Sequence, residues 1–351
     1  MFFKKLGAFF LAFISVAIVS LGLISPTSFP KFETLAQVFK SDSPTNSLSG
    51  RTGGDGPILV VKVDDTPAAH PQAGLESADI VYIEQVEGGL TRLAAVFSSQ
   101  IPNVIGPVRS ARISDIEILE QFGRVAFAYS GAQSKLLPVI AAANLENLGA
   151  QRQSKSIYAN DPLRTPPTAM MLQAQTLIEK IKSENLAIAS SKNVGWSFAE
   201  SFDSGIPISS VKVSWPANSY TATWSKEEER WLLSVNGAAD LAASGYHLGP
   251  TTLAIQLVSI TPSEYHDKVG GVTPYSATVG SGRGYILRDG KYIPALWNRP
   301  TGLSGTSWKT ADGEEIPFAA GQVWIALTDK EPDFALNSAP SSADAASTTS
   351  K

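Results

Sequence analysis

Apolar residues along this chain fall into two textures. Between about 56 and 188, short apolar runs predict strands at Ile58–Val63, Ile80–Val86, Leu93–Phe97 and Val125–Tyr129, with Gly88-Gly89 marking a hairpin between the second and third. Ile113, Ile116, Leu119 and Phe122 recur at helical spacing, so a helix is expected over 110–122, opened by the turn at Gly106-Pro107. A second helix is expected over 134–143. Met171, Leu172, Ala174, Leu177, Ile178 and Ile181 predict a long amphipathic helix over Thr168–Ser183. A hairpin followed by alternating helices and strands implies a mixed sheet. Between 195 and 330 helical periodicity disappears. Short β-branched and aromatic runs follow one another there, including Val211–Trp215, Tyr220–Trp224, Trp231–Val235, Leu253–Ile260, Tyr285–Leu287, Tyr292–Trp297 and Val323–Leu327. Asp289-Gly290 is a strong hairpin signal between two of them. The expected fold class is therefore α+β: a mixed α/β domain over 56–188, then a β-rich domain, barrel or sandwich, over 195–330.

The ends carry a different pattern. Leu6–Ile24 is a continuous apolar and small-residue run preceded by Lys4 and Lys5, long enough for a bilayer-spanning helix with its N-terminus in the cytoplasm. No clear small-x-small cleavage site follows in Ser25–Pro30, so residues 1–28 are expected to remain as a single-pass membrane anchor. The folded part is then expected on the extracytoplasmic side. Residues 29–55, rich in Ser, Gly, Thr and Pro toward their end, are expected as a linker, and residues 331–351 as a disordered tail.

Composition narrows the chemistry. The 351 residues include 28 Lys plus Arg and 32 Asp plus Glu with no basic block, which argues against nucleic acid as a partner. Absence of Cys removes disulfides, thiolate metal sites and lipidation at a cysteine within this sequence. With three His at unrelated spacings, no metal site is expected. Neither G-x-S-x-G, H-E-x-x-H nor a P-loop is present, and no cofactor is expected.

What remains is a dense polar set near the predicted strand ends of the first region. Arg109 and Arg112 lie three apart at the start of a predicted helix, where the macrodipole already disfavours cations. They are read either as an anion site or as partners of the chain's own acids Glu84, Glu87 and Asp115. The candidate ligand-binding set is Arg92, Arg109, Arg112, Asp64, Glu87 and Gln72. Asp64 and Glu84 are the candidate acid and base if the site is catalytic. His70, alone in a proline-rich loop, is read as a structural hydrogen-bonder, and Ser130-Gly131 as a poor imitation of a nucleophile elbow. Gly280-Ser281-Gly282-Arg283-Gly284 is read as a bulged strand connection, since no helix follows to make it a phosphate loop.

Five segments occur in an order that resembles the N-terminal domain of the YerB-like family of bacterial envelope proteins. They are Asp64-Asp65, Pro71-Gln72-Ala73-Gly74-Leu75, Ala78-Asp79-Ile80-Val81-Tyr82, Glu87-Gly88-Gly89-Leu90-Thr91-Arg92 and Ile105–Arg112. The β-rich half is similar to that family's C-terminal domain from Ile255-Gln256 through Gly282-Arg283-Gly284 to Gln322-Val323-Trp324. The resemblance implies a protein at the outer face of the cytoplasmic membrane, commonly a lipoprotein, with no established activity to carry over. Two departures stand out: this chain has no Cys, and it has Arg164-Thr165-Pro166-Pro167-Thr168 where the family pattern is Arg-x-Pro-His-Asn. Three functions stay open: a module binding an anionic cell-wall fragment or an envelope protein, a hydrolase or lyase of cell-wall glycan or phosphoester, and a purely structural partner-binding protein.

Overall fold

The computed structural model describes residues 43–336; the expected anchor over 1–28, the start of the linker and the tail from 337 onward lie outside the described residues. Among the described residues no helix is long and apolar enough to cross a membrane. Twenty strands and three α-helices are present there: α1 (Ile113–Glu120), α2 (Leu137–Ala142) and α3 (Ala174–Ser183). The protein is mostly β. Its dominant feature is one 15-stranded mixed sheet that runs through both halves of the sequence.

The middle of that sheet explains the arrangement. Leu59–Asp64 pairs antiparallel with Thr91–Phe97, which pairs antiparallel with Ile80–Gln85. Ile80–Gln85 then pairs in parallel with Val323–Thr328, and that strand in parallel with Thr252–Leu257. A strand from near the C-terminal end is thus inserted between the two halves. The β-rich half, expected as a barrel or sandwich of its own, is not set apart from the first: its central strands continue the first half's sheet. At the far end the strands Ile206–Ser214, Ser219–Ser225 and Arg230–Val235 curl back, so that Val211, Trp215, Tyr220 and Trp231 share one core with Leu253, Ile255 and Trp324.

Both faces of the sheet are covered, which is why the central strands read as continuous apolar runs. Val61, Val63, Leu93 and Val81 point into a core that also takes Leu177, Ile178 and Ile181 of α3. Val60, Tyr82, Ala94 and Val96 point into the opposite core with Ile118 and Leu119 of α1, Phe122 and Ile140 of α2.

Several expectations need correction. The helix expected over Thr168–Ser183 begins only at Ala174, because Met170–Gln173 is a strand held between Val104–Ile105 and Tyr158–Asn160. The glycines at 280–284 lie inside a regular strand, Gly280–Arg288, paired residue for residue with Lys291–Arg299. Their small size is used for packing: a Cβ on Gly284 would come within 2.4 Å of the Ile255 carbonyl oxygen. Residues 44–55, expected as linker, are packed. Leu48 is fully buried, Trp196 Nε1 donates to its carbonyl at 3.2 Å, and Asn46 Nδ2 donates to Gly54 O at 2.8 Å, so loop polar groups satisfy one another. At the other end Asp333–Leu336, expected as tail, pairs with Ile206–Ser214, and Phe334 stacks on Tyr292 at 4.0 Å. The Asp289-Gly290 hairpin forms as expected, with both residues at positive φ (52° and 71°).

Candidate functional site

Strand alternation builds the site. On the sheet face that carries Val60, Tyr82, Ala94 and Val96, the next positions toward one end are Lys62 and Asp64, Glu84, and Arg92. Register places Arg92 directly between Asp64 and Glu84 on its two neighbours. An apolar face therefore ends in a charged row. α1 lies over this row and adds Arg112 and Asp115 from its start.

Most of these charges are matched internally. Lys62 Nζ contacts Glu84 Oε1 and lies 2.9 Å from Asp115 Oδ1, and all three side chains are fully buried. Burial, reinforced by the Asp115 charge and opposed by Lys62, pushes the Glu84 carboxyl up to about 7. Asp115 also accepts the Arg112 backbone N–H at 2.6 Å, fixing the helix start. Arg112 Nη2 donates to Glu87 at 2.7 Å, and Thr273 Oγ1 donates to the same carboxylate. Burial alone would raise Glu87, but the Arg112 hydrogen bond and charge outweigh it and hold the group below the usual range. Arg109 Nε lies 2.8 Å from Asp64 Oδ2, an ion pair whose N–H points off the line of a hydrogen bond.

Arg92 is different. It is only 9% exposed, has no carboxylate within 4 Å among the described residues, and makes a single hydrogen bond, from Nη1 to Ser110 O at 3.2 Å. Burial, together with the charges of Arg112 and Arg109, lowers it to about 10, still protonated at neutral pH.

Arg92, Arg109 and Arg112 converge on a cleft of about 1030 Å³. One wall is the loop after Val125–Ala128, with Ser130, Gly131 and Gln133. A second is Asn160–Met170, and the third is the tip of the hairpin formed by Ile260–His266 and Val272–Ser276, including Tyr265 and Lys268. Among the described residues the amides of Gly131, Ala132 and Gln133 meet no acceptor, nor do the hydroxyls of Ser110 and Ser130. Gln133 Oε1 is buried without a donor.

Of the residues singled out by sequence, the three arginines meet in this cleft. Asp64, Glu84 and Glu87 lie behind it, paired to cations, and do not line it. The two carboxylates expected to act as acid and base are thus both fully buried. Gln72 belongs to a separate cluster. There His70 is held between Asp65 (Nε2 to Oδ1, 3.3 Å) and Asp240 (Nδ1 to Oδ1, 3.2 Å), and Gln72 Nε2 donates to Asp64 O at 3.2 Å. Burial alone would lower His70, but its two carboxylate partners push it up to about 10. Asp65 also accepts from Tyr220 Oη at 2.6 Å and Asn218 Nδ2 at 3.1 Å, so this cluster ties the two sequence halves together. Sequence reasoning missed Gln133, Tyr265 and Lys268. Only Ser130-Gly131, directly after a strand, carried a local signal. Among the described residues no group of three or more His, Asp or Glu side chains is arranged to hold a metal.

Comparison with known proteins places this fold and cleft in the YerB-like family. Family profiles described as "Protein of unknown function (DUF3048) N-terminal domain" and "Protein of unknown function (DUF3048) C-terminal domain" match residues 45–187 and 211–325, and the chain belongs to this family. It is similar to "Putative lipoprotein YerB" of Bacillus subtilis (strain 168), with 24% identity over 280 residues, covering 77% of this chain and 80% of the relative. The crystal structure of YerB protein from Bacillus subtilis shares the fold, with a TM-score of 0.70 at 20% identity over 82% of this chain and 99% of that one.

Proposed function

We propose that this chain is a membrane-tethered, extracytoplasmic binding protein of the bacterial envelope, and that the Arg92, Arg109 and Arg112 cleft holds an anionic cell-wall fragment or an acidic segment of an envelope protein. One observation carries the reading. Arg92 is a buried cation without a carboxylate partner, and it faces a cleft lined by unused donors. A buried charge is costly unless paired, so a ligand anion would supply what the protein leaves out. The relative's printed name, a lipoprotein, supports a place at the membrane; in this chain, which has no Cys, the apolar segment Leu6–Ile24 would serve as the tether.

A second reading is favoured by the Arg109 to Asp64 and Arg112 to Glu87 pairs: an ion-pair lattice that only fixes loop geometry. Thermal unfolding of the full chain in excess phosphate, sulfate or succinate separates the two. Ligand binding raises the midpoint by mass action. The binding reading expects at least one of these anions to raise it in the parent and not in a folded Arg92→Gln variant. A parent unmoved by all three supports the lattice.

A further inference from the structure

Resting on that reading, we propose that the cleft is a site for a phosphorylated sugar, with the phosphoryl group against Arg92 and Arg109 and the sugar beside Gln133. The free donors are many and differ in origin. Among the described residues Arg92 keeps Nε and Nη2 unused, Arg109 keeps both terminal nitrogens unused, and Ser110, Ser130 and the 131–133 amides add more. These come from three separate segments of the chain. A carboxylate offers two oxygens in one plane, whereas a phosphoryl group offers three strong acceptor oxygens arranged in space, and arginine forks match it in pairs. The donor set suits the larger acceptor.

Two further observations extend the ligand beyond phosphate. The cleft, at about 1030 Å³, is at the size of sites that enclose a whole small molecule, far more than one phosphoryl group needs. Gln133 lines the cleft and its side chain makes no hydrogen bond among the described residues, so its amide oxygen can turn to a ligand and accept. A phosphate dianion has no proton to give it. A sugar hydroxyl or an acetamido N–H next to the phosphate does, and either would relieve an unpaired polar atom. Tyr265, which also lines the cleft, adds an aromatic residue on the side where the sugar would lie.

Isothermal titration of the full chain with N-acetylglucosamine 1-phosphate, inorganic phosphate, N-acetylglucosamine and succinate tests this. The expected order places the sugar phosphate at least tenfold tighter than phosphate, with the neutral sugar and succinate weaker still. Arg92→Gln should weaken sugar phosphate at least tenfold. Ser130→Ala, which removes no protein hydrogen bond, should weaken it severalfold with unchanged thermal stability, and it keeps the test decisive should Arg92→Gln misfold. Succinate binding as tightly as the sugar phosphate overturns the phosphoryl assignment while leaving an anion site. Sugar phosphate no tighter than phosphate overturns the sugar assignment. No binding by any of the three anions overturns both this proposal and the reading beneath it.

Discussion

Lys62→Met is the perturbation whose consequence follows most directly from the geometry. Lys62 is the sole cation against Glu84 and Asp115 among the described residues, and all three side chains are fully buried. Methionine keeps the length and apolar stem but removes the charge. Two carboxylates are then left in the interior with no cation within ion-pair distance among the described residues, which costs about 3–5 kcal/mol at pH 8. Below pH 5 the Glu84 carboxyl is protonated, and the loss should shrink to about 1–2 kcal/mol. The parent already leans this way: Glu84 titrates near 7 in the folded state, above its unfolded value of 4.5. Its contribution is fully present below 4.5 and lost as pH rises through 7. Adding Glu84→Gln to Lys62→Met removes one orphaned charge and should restore at least about 1.5 kcal/mol at pH 8, a coupling between neighbours. Chemical denaturation at pH 5 and pH 8 is measured for the parent, Lys62→Met, Glu84→Gln and the double variant. A Lys62→Met loss under about 1 kcal/mol at pH 8, or the same loss at both pH values, refutes the reasoning.

Two other outcomes are expected. His70→Gln removes the cation between Asp65 and Asp240 and should cost about 2–3 kcal/mol near pH 6. Because the folded pKa of His70 is raised from 6.5 to about 10, its contribution is whole below 6.5 and lost as pH rises through 10, so parent and variant melting curves should converge on the alkaline side. Gly284→Ala forces a methyl against the Ile255 carbonyl oxygen and the Trp308 ring, in the pairing of Gly280–Arg288 with Thr252–Leu257, and should lower stability by about 1–3 kcal/mol in a denaturant titration.

Much of the sheet was legible because alternation in its central strands is local. Val60, Lys62 and Asp64 share a face whatever else the chain does, and so do Tyr82 and Glu84, or Arg92 and Ala94. The row of charges behind the cleft could be drawn from those three strands. Pairing across long separations could not. Met171 and Leu172 have good helical spacing with Leu177 and Ile178, but Met170–Gln173 is claimed as a strand by partners at 104–105 and 158–160. The sheet shared by the two halves was hidden for the same reason: only contact shows that Val323–Thr328 sits beside Ile80–Gln85, some 240 residues away in sequence. The arginines were found from their spacing and helix position. Which of them lacks a partner depended on where Asp64 and Glu87 fall in space, and the far wall at Tyr265 and Lys268 comes from a hairpin about 155 residues downstream.

The measurement that addresses the central claim most directly is anomalous diffraction from crystals of the protein soaked in tungstate, a tetrahedral oxyanion heavy enough to be located without ambiguity. An anion site predicts a peak in the cleft within hydrogen-bonding reach of Arg92 and Arg109, absent from Arg92→Gln crystals. Peaks confined to the outer surface, with none against Arg92, would contradict it.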